Sequence, residues 1–199
     1  MQLFTKLLSS INQPIRRCVL ALAAALMLVS CVGGGVSTSA LLLSVFAGNT
    51  HGAGNSDGTG AAASFNEPYA VATDASGNVY VADSNNSTIR KITPAGVVTT
   101  LAGTAGTSGS ADGTGAAARF SIPSGVATDA SGNVYVTDNG NYTIRKITPA
   151  GEVTTLAGTA GVGGFQAGAL PGVINRPVAI AVSGSKIYFS TNNGIVVIK

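Results

Sequence analysis

The chain has 199 residues, 45% of them hydrophobic and only 10% charged, with 27 glycines, two cysteines and no tryptophan. That composition is too apolar for a disordered tail and too glycine-rich for a helical bundle, and the length suits a single domain. The formal charge of +3 comes from Lys6, Arg16 and Arg17, because from Cys31 onward eight basic residues stand against eight acidic ones. A basic surface cannot be the basis of function, and no nucleic-acid partner is expected.

The chain opens with those three basic residues and continues into an apolar run over residues 19–29. A run of this length fits the core of an export signal, for which roughly 7–15 apolar residues suffice, and falls short of the about 20 that span a bilayer. The run ends in Leu28-Val29-Ser30-Cys31. This segment resembles the bacterial lipobox, in which a small residue precedes a cysteine that is lipidated and becomes the new N-terminus. The resemblance implies a signal peptide over residues 1–30, cleavage between Ser30 and Cys31, and a multiply acylated (palmitate-bearing) Cys31 that anchors the protein in a membrane. Val32 follows the cysteine instead of an acidic residue, and the family rule then favours the outer membrane or cell surface. An ordinary secretory signal cleaved near Ser30, or an uncleaved anchor, is the alternative. Cys18 lies in the leader, so after processing no second cysteine remains for an intrachain disulfide. Residues 31–40 are small and glycine- or serine-rich, a tether that reaches no more than roughly 30 Å.

Internal repetition decides the fold. Residues 57–106 align without gaps to residues 112–161, a period of 55, with 40 of 50 positions identical. A diverged third copy starts at Pro177. Each full copy divides into four short strands at turn signals, in the first copy over residues 69–73, 78–82, 88–93 and 97–101. The strands are rich in Val, Ile, Thr and Tyr, and the turns are Asp74-Ala75-Ser76-Gly77, Asp83-Ser84-Asn85-Asn86 and Pro94-Ala95-Gly96. Four strands repeated every 40–55 residues or so are the signature of propeller blades. The expected fold is all-β, with blades of four antiparallel strands and three blades per chain.

The two copies read P-x-[GA]-V-A-x-D-x-x-G-N-V-Y-V-x-D-x-x-N-x-x-I-R-K-I from Pro68 to Ile92 and from Pro123 to Ile147. This pattern resembles the NHL repeat. The resemblance implies a β-propeller, commonly of six blades, with roles mostly in protein binding and in a few cases as sensors, RNA binders or metal-dependent lyases. The blades are placed at residues 65–103, 120–158 and 174–199. Residues 41–48 (LLLSVFAG) match the fourth strands that begin at Val97 and Val153, so an unpaired fourth strand precedes blade one, and blade three lacks its own. The expectation is closure in trans: residues 41–48 of one chain complete the last blade of another, and two chains form a six-blade homodimer by strand exchange. A three-blade disc, an open arc and a truncated repeat fragment are the alternatives.

Candidate sites are few. Asp83 with Asn86, and Asp138 with Asn141, fall in the turn between strands two and three, and Arg90 and Arg145 follow on strand three. They form either a ligand-binding rim or a set of turn and blade hydrogen bonds. In the third copy Thr191, Asn193 and Val197-Ile198 replace this charged pattern. Asp57 and Asp112 open glycine-rich loops that read as turns and match no calcium loop. A single histidine, His51, and no cysteine beyond Cys31 leave no triad and no metal set, so no cofactor and no metal is expected. Phe65 and Phe120 read as core plugs. The segment over residues 161–175, with Phe165 and Leu170, is unlike its counterparts and is where a specific contact would sit. The reading is an exported, lipid-anchored propeller that binds a protein or glycan ligand or acts as a scaffold at the cell envelope. The rival is an enzyme, a lyase or glycan-active hydrolase, using the recurring carboxylates Asp74 and Asp129.

Overall fold

Alternating strand residues and tight polar turns fold as antiparallel meanders. The computed structural model describes residues 42–49 and 52–199. The leader 1–30, Ser30 and Cys31, the tether 31–40, Leu41 and His51 lie outside the described residues. Among those described there is no α-helix, only strands and four short 3-10 turns.

Blade one consists of β1 (Gly58–Thr59), β2 (Pro68–Thr73), β3 (Val79–Asp83), β4 (Thr88–Ile92) and β5 (Val97–Gly103), in the sheet order β1-β5-β4-β3-β2. Blade two repeats this with β6 (Gly113–Thr114), β7 (Pro123–Thr128), β8 (Val134–Asp138), β9 (Thr143–Ile147) and β10 (Glu152–Ala157). Blade three has β11 (Ile180–Ser183), β12 (Lys186–Ser190) and β13 (Ile195–Ile198), in order β11-β12-β13. The fold is all-β and propeller-like, as the repeat predicts.

Alternation sets which face each blade buries. Val79 and Val81 of β3 join Ile92, Val98 and Phe65 on one face. Tyr80, Ala82 and Ile89 turn the other way and pack with Phe120, Val126, Val134 and Val136 of blade two. Blade two meets blade three through Ile144 and Ala157 against Ile174, Ile180 and Phe189. Each blade junction is also clipped by a hydrogen bond: Ser84 Oγ donates to the carbonyl of Pro123, and Asn139 Nδ2 to that of Pro177 at 3.0 Å.

Three details depart from the sequence reading. The glycine-rich loops supply a two-residue outer strand, with Gly58 opposite Val98 and Gly113 opposite Val153, so blades one and two carry a fifth strand. Residues 42–48 belong to no strand ladder. A fourth strand needs a third strand beside it, and the described residues before blade one offer none. Residues 44–48 nonetheless take a fourth strand's end position: Gly48 (φ +95) donates to the Gly60 carbonyl at 3.0 Å, as Gly158 (φ +87) donates to Pro171 at 2.7 Å. Finally, the hairpin between β12 and β13 is two residues shorter than its counterparts in blades one and two, where Val81 faces Arg90 and Val136 faces Arg145. Pairing of Phe189 with Val196 therefore puts Val196, not Val197, in the place of Arg90 and Arg145.

Candidate functional site

The repeated charged residues converge inside each blade. The β3–β4 turn brings Asp83 back over Arg90, its ladder neighbour Val81 lying opposite the arginine. Asp83 Oδ1 accepts the Asn66 backbone N–H at 2.8 Å, and Oδ2 accepts from Asn86 Nδ2 at 2.8 Å and Arg90 Nη1 at 2.9 Å. Arg90 Nη1 also reaches the Ser64 carbonyl, while Nη2 reaches the Ser56 carbonyl and, at 2.7 Å, Asp57 Oδ1. The guanidinium lies 5.1 Å from the centre of the Phe65 ring. Blade two reproduces the set: Arg145 binds Asp138 Oδ2 at 3.0 Å and Asp112 Oδ1 at 2.7 Å, Asn141 Nδ2 donates to Asp138, and the Phe120 ring centre is 5.2 Å away. Burial pushes the Asp138 carboxyl up to about 6, against the hydrogen bonds from Asn141 and Ser121 and the Arg145 charge.

Asp83, Arg90, Asp138 and Arg145 are therefore sealed in the blades and occupied with one another. They form no basic rim. They are clasps that tie the incoming loop, with its Asp57 or Asp112, to strands three and four. Asp57 Oδ2 and Asp112 Oδ2 also accept the backbone N–H of Thr100 and Thr155. Reading those aspartates as local turn formers missed this role. The signal was present: both aspartates stand 33 residues before their arginine, and the third repeat lacks the aspartate and the arginine together.

Asp74 and Asp129 are likewise absorbed. Asp74 Oδ1 accepts the N–H groups of Ser76 and Asn78, and Oδ2 accepts from Asn78 Nδ2 and the Tyr80 hydroxyl. Asp129 does the same with Ser131, Asn133 and Tyr135. The Asn78 amide, with further hydrogen bonds, holds Asp74 below the ordinary carboxylate range. Burial and the facing aspartate push Tyr80 and Tyr135 up to about 12.

A polar surface outside the clasps lies where the repeat breaks down. Phe165, 61% exposed, stands beside the β12–β13 turn, whose Thr191 N–H is held by the Gly194 carbonyl at 2.8 Å. Together with Asn175, Asn192, Asn193 and Ile195 it lines a cleft of about 350 Å³. Asn192 and Asn193 are exposed. An aromatic face beside several amides can stack on an apolar ring or sugar face while hydrogen-bonding hydroxyl or peptide groups.

Residues 65–92 and 120–147 match the NHL repeat. A stretch of 103 residues is 38% identical to the chloroplastic protein SUPPRESSOR OF QUENCHING 1 of Arabidopsis thaliana, covering 51% of this chain and 10% of that protein. Among solved structures, a protein of unknown function from Bacteroides thetaiotaomicron VPI-5482 superimposes with a TM-score of 0.54 at 32% identity, over 58% of this chain and 30% of the other. An auxiliary nutrient binding protein of the same organism gives a TM-score of 0.53 at 22% identity, over 60% of this chain and 33% of that one. The chain thus spans about a third of the length of these propeller structures and a tenth of the plant protein.

Proposed function

We propose that this NHL-repeat chain is an exported, lipid-anchored binding module of the cell envelope, non-catalytic, with its ligand contact at the Phe165 cleft. One observation carries the binding reading. The two faithful repeats bury Asp83, Arg90, Asp138 and Arg145 inside the blades, while the non-repeated segment, residues 161–175, presents an exposed aromatic ring beside exposed amides. The chemistry suits a glycan or a peptide segment. Similarity of fold to an auxiliary nutrient binding protein is consistent with it. The non-catalytic reading is supported by Asp74 and Asp129, whose carboxylates are spent on their own turns. Anchoring through Cys31 is supported by the charged-then-apolar order that leads to Leu28-Val29-Ser30-Cys31. Two copies paired end to end make up the complete platform.

The test uses the full chain. Wild type should capture a ligand from an envelope extract, and Phe165→Ala should reduce that capture by about tenfold or more without moving the unfolding midpoint. Equal capture by both would overturn the cleft assignment. Cys31→Ala should move the chain from the membrane fraction to the soluble one and abolish labelling by a fatty-acid probe; unchanged fractionation would overturn the anchor.

A further inference from the structure

We infer that blade three carries a preformed slot for a β-strand, and that its occupant is the 44–47 segment of a second copy of this chain. This rests on the pairing of two copies stated above and adds its seat, its occupant and its register.

The slot is a cleft of about 310 Å³ between β13 and the loop that carries Gly168. In blades one and two the corresponding outer glycines, Gly58 (φ +152) and Gly113 (φ +150), pair with the fourth strands β5 and β10. Gly168 has the same backbone setting, φ +146, yet among the described residues it faces no fourth strand. Both walls of a fourth-strand site are thus in place: β13 on one side, and the outer loop with Leu170 on the other. Ile174 and Phe189 form its floor.

The segment that fits is already held in the matching place at the opposite end of the chain. The Phe46 carbonyl lies 3.5 Å from the point a Cβ on Gly96 would occupy, and the Leu101 carbonyl, one period later, lies 3.6 Å from that point on Gly151. Residues 44–48 therefore stand against blade one as the end of a blade's fourth strand stands against the next blade. A partner's blade three can dock on them with no strand leaving its own chain.

The sheet faces at the two ends agree. Val126 of blade two is 6% exposed, and its blade-one counterpart Val71 is 67% exposed. Ile89 and Ile144 are fully buried, and their blade-three counterpart Ile195 is 74% exposed. The face that Ile195 belongs to is the kind that the Val71 face meets at each junction inside the chain. Two copies joined this way at both ends form a closed two-fold ring, and the open edge of β13 is removed.

The register follows from blades one and two. Ile89, Arg90 and Lys91 face Ala102, Thr100 and Thr99, with a bulge at Leu101, and β9 and β10 keep the same pattern. Ile195, Val196 and Val197 of one copy therefore face Ala47, Val45 and Ser44 of the other, with the bulge at Phe46.

The full chain in detergent is examined by sedimentation, and Val45→Cys chains are mixed with Val196→Cys chains under oxidising conditions. Unsubstituted chain serves as the control for Cys18 and Cys31. A two-chain mass and a disulfide-linked Val45→Cys/Val196→Cys pair are expected, with Ile195→Asp weakening association on the order of 100-fold while far-UV circular dichroism is unchanged. A one-chain mass at every concentration overturns the pairing itself. A two-chain mass without that disulfide overturns the slot and its register while leaving the pairing standing.

Discussion

Arg145 illustrates how one buried charge can organise a blade. It is fully buried, and its guanidinium spans Asp138, Asp112, two backbone carbonyls and the Phe120 ring. Breaking such a set from one side leaves an uncompensated carboxylate inside, at a cost of about 3–5 kcal/mol. Blade three shows the apolar solution, with Val196 at the arginine position and Thr191 at that of Asp138. Arg145→Val alone should therefore lower urea stability by about 3–5 kcal/mol, and adding Asp138→Thr should restore part of the loss. A double variant less stable than the single one would contradict the clasp. The tyrosines give a pH signature. Tyr80 and Tyr135 ionise near 10 when unfolded and near 12 in the fold. Their contribution is complete below pH 10 and is lost as the pH rises through about 12, because only the unfolded chain releases protons in that window. Thermal stability should fall there, and Tyr80→Phe with Tyr135→Phe should flatten the fall.

At the scale of the element, blade junctions are set by how closely inner strands approach. Gly125 of β7 sits so near blade three that an added Cβ would lie 2.7 Å from Thr137 Oγ1 and still closer to the Val178 carbonyl. Its counterpart Ala70 in β2 is accommodated against the core shared by blades one and two. Gly125→Ala should thus destabilise by about 1–3 kcal/mol through overpacking, read from urea unfolding, whereas Ala70→Gly should cost less. Equal effects would show that the approach is not tight. The same scale explains the shifted alignment of the third repeat. A β12–β13 hairpin two residues shorter than its counterparts places Val196, not its neighbour Val197, opposite Phe189, and one place exchanges the two faces of a strand.

At the scale of the whole molecule, and among the described residues, the middle blade is covered on both faces and the outer blades on one each. The bare faces lie at opposite ends of the repeat array, with Val71 and Tyr69 exposed at one end and Ile195 and Tyr188 at the other. Apolar sheet faces and an unpaired edge strand favour association over solvation. The clasp distribution follows the same order: blades one and two have their arginines, and among the described residues blade three has neither a clasp nor a fourth strand.

What the sequence settled by itself was local and periodic. The 55-residue period, the strand and turn positions in the two faithful copies and the resemblance to the NHL repeat depend on residues adjacent in the chain, where alternation and turn chemistry are written directly. Phe65 and Phe120 were legible as packing residues for the same reason. What only the tertiary structure decided was every relation that crosses strands. Asp57 reaches Arg90 from 33 residues away, Gly58 adds an outer strand to β5, and Val196 rather than Val197 replaces the arginine. Those outcomes depend on ladder register and on burial from both sides of a sheet, and a linear pattern of residue types specifies neither until the strands are laid beside one another.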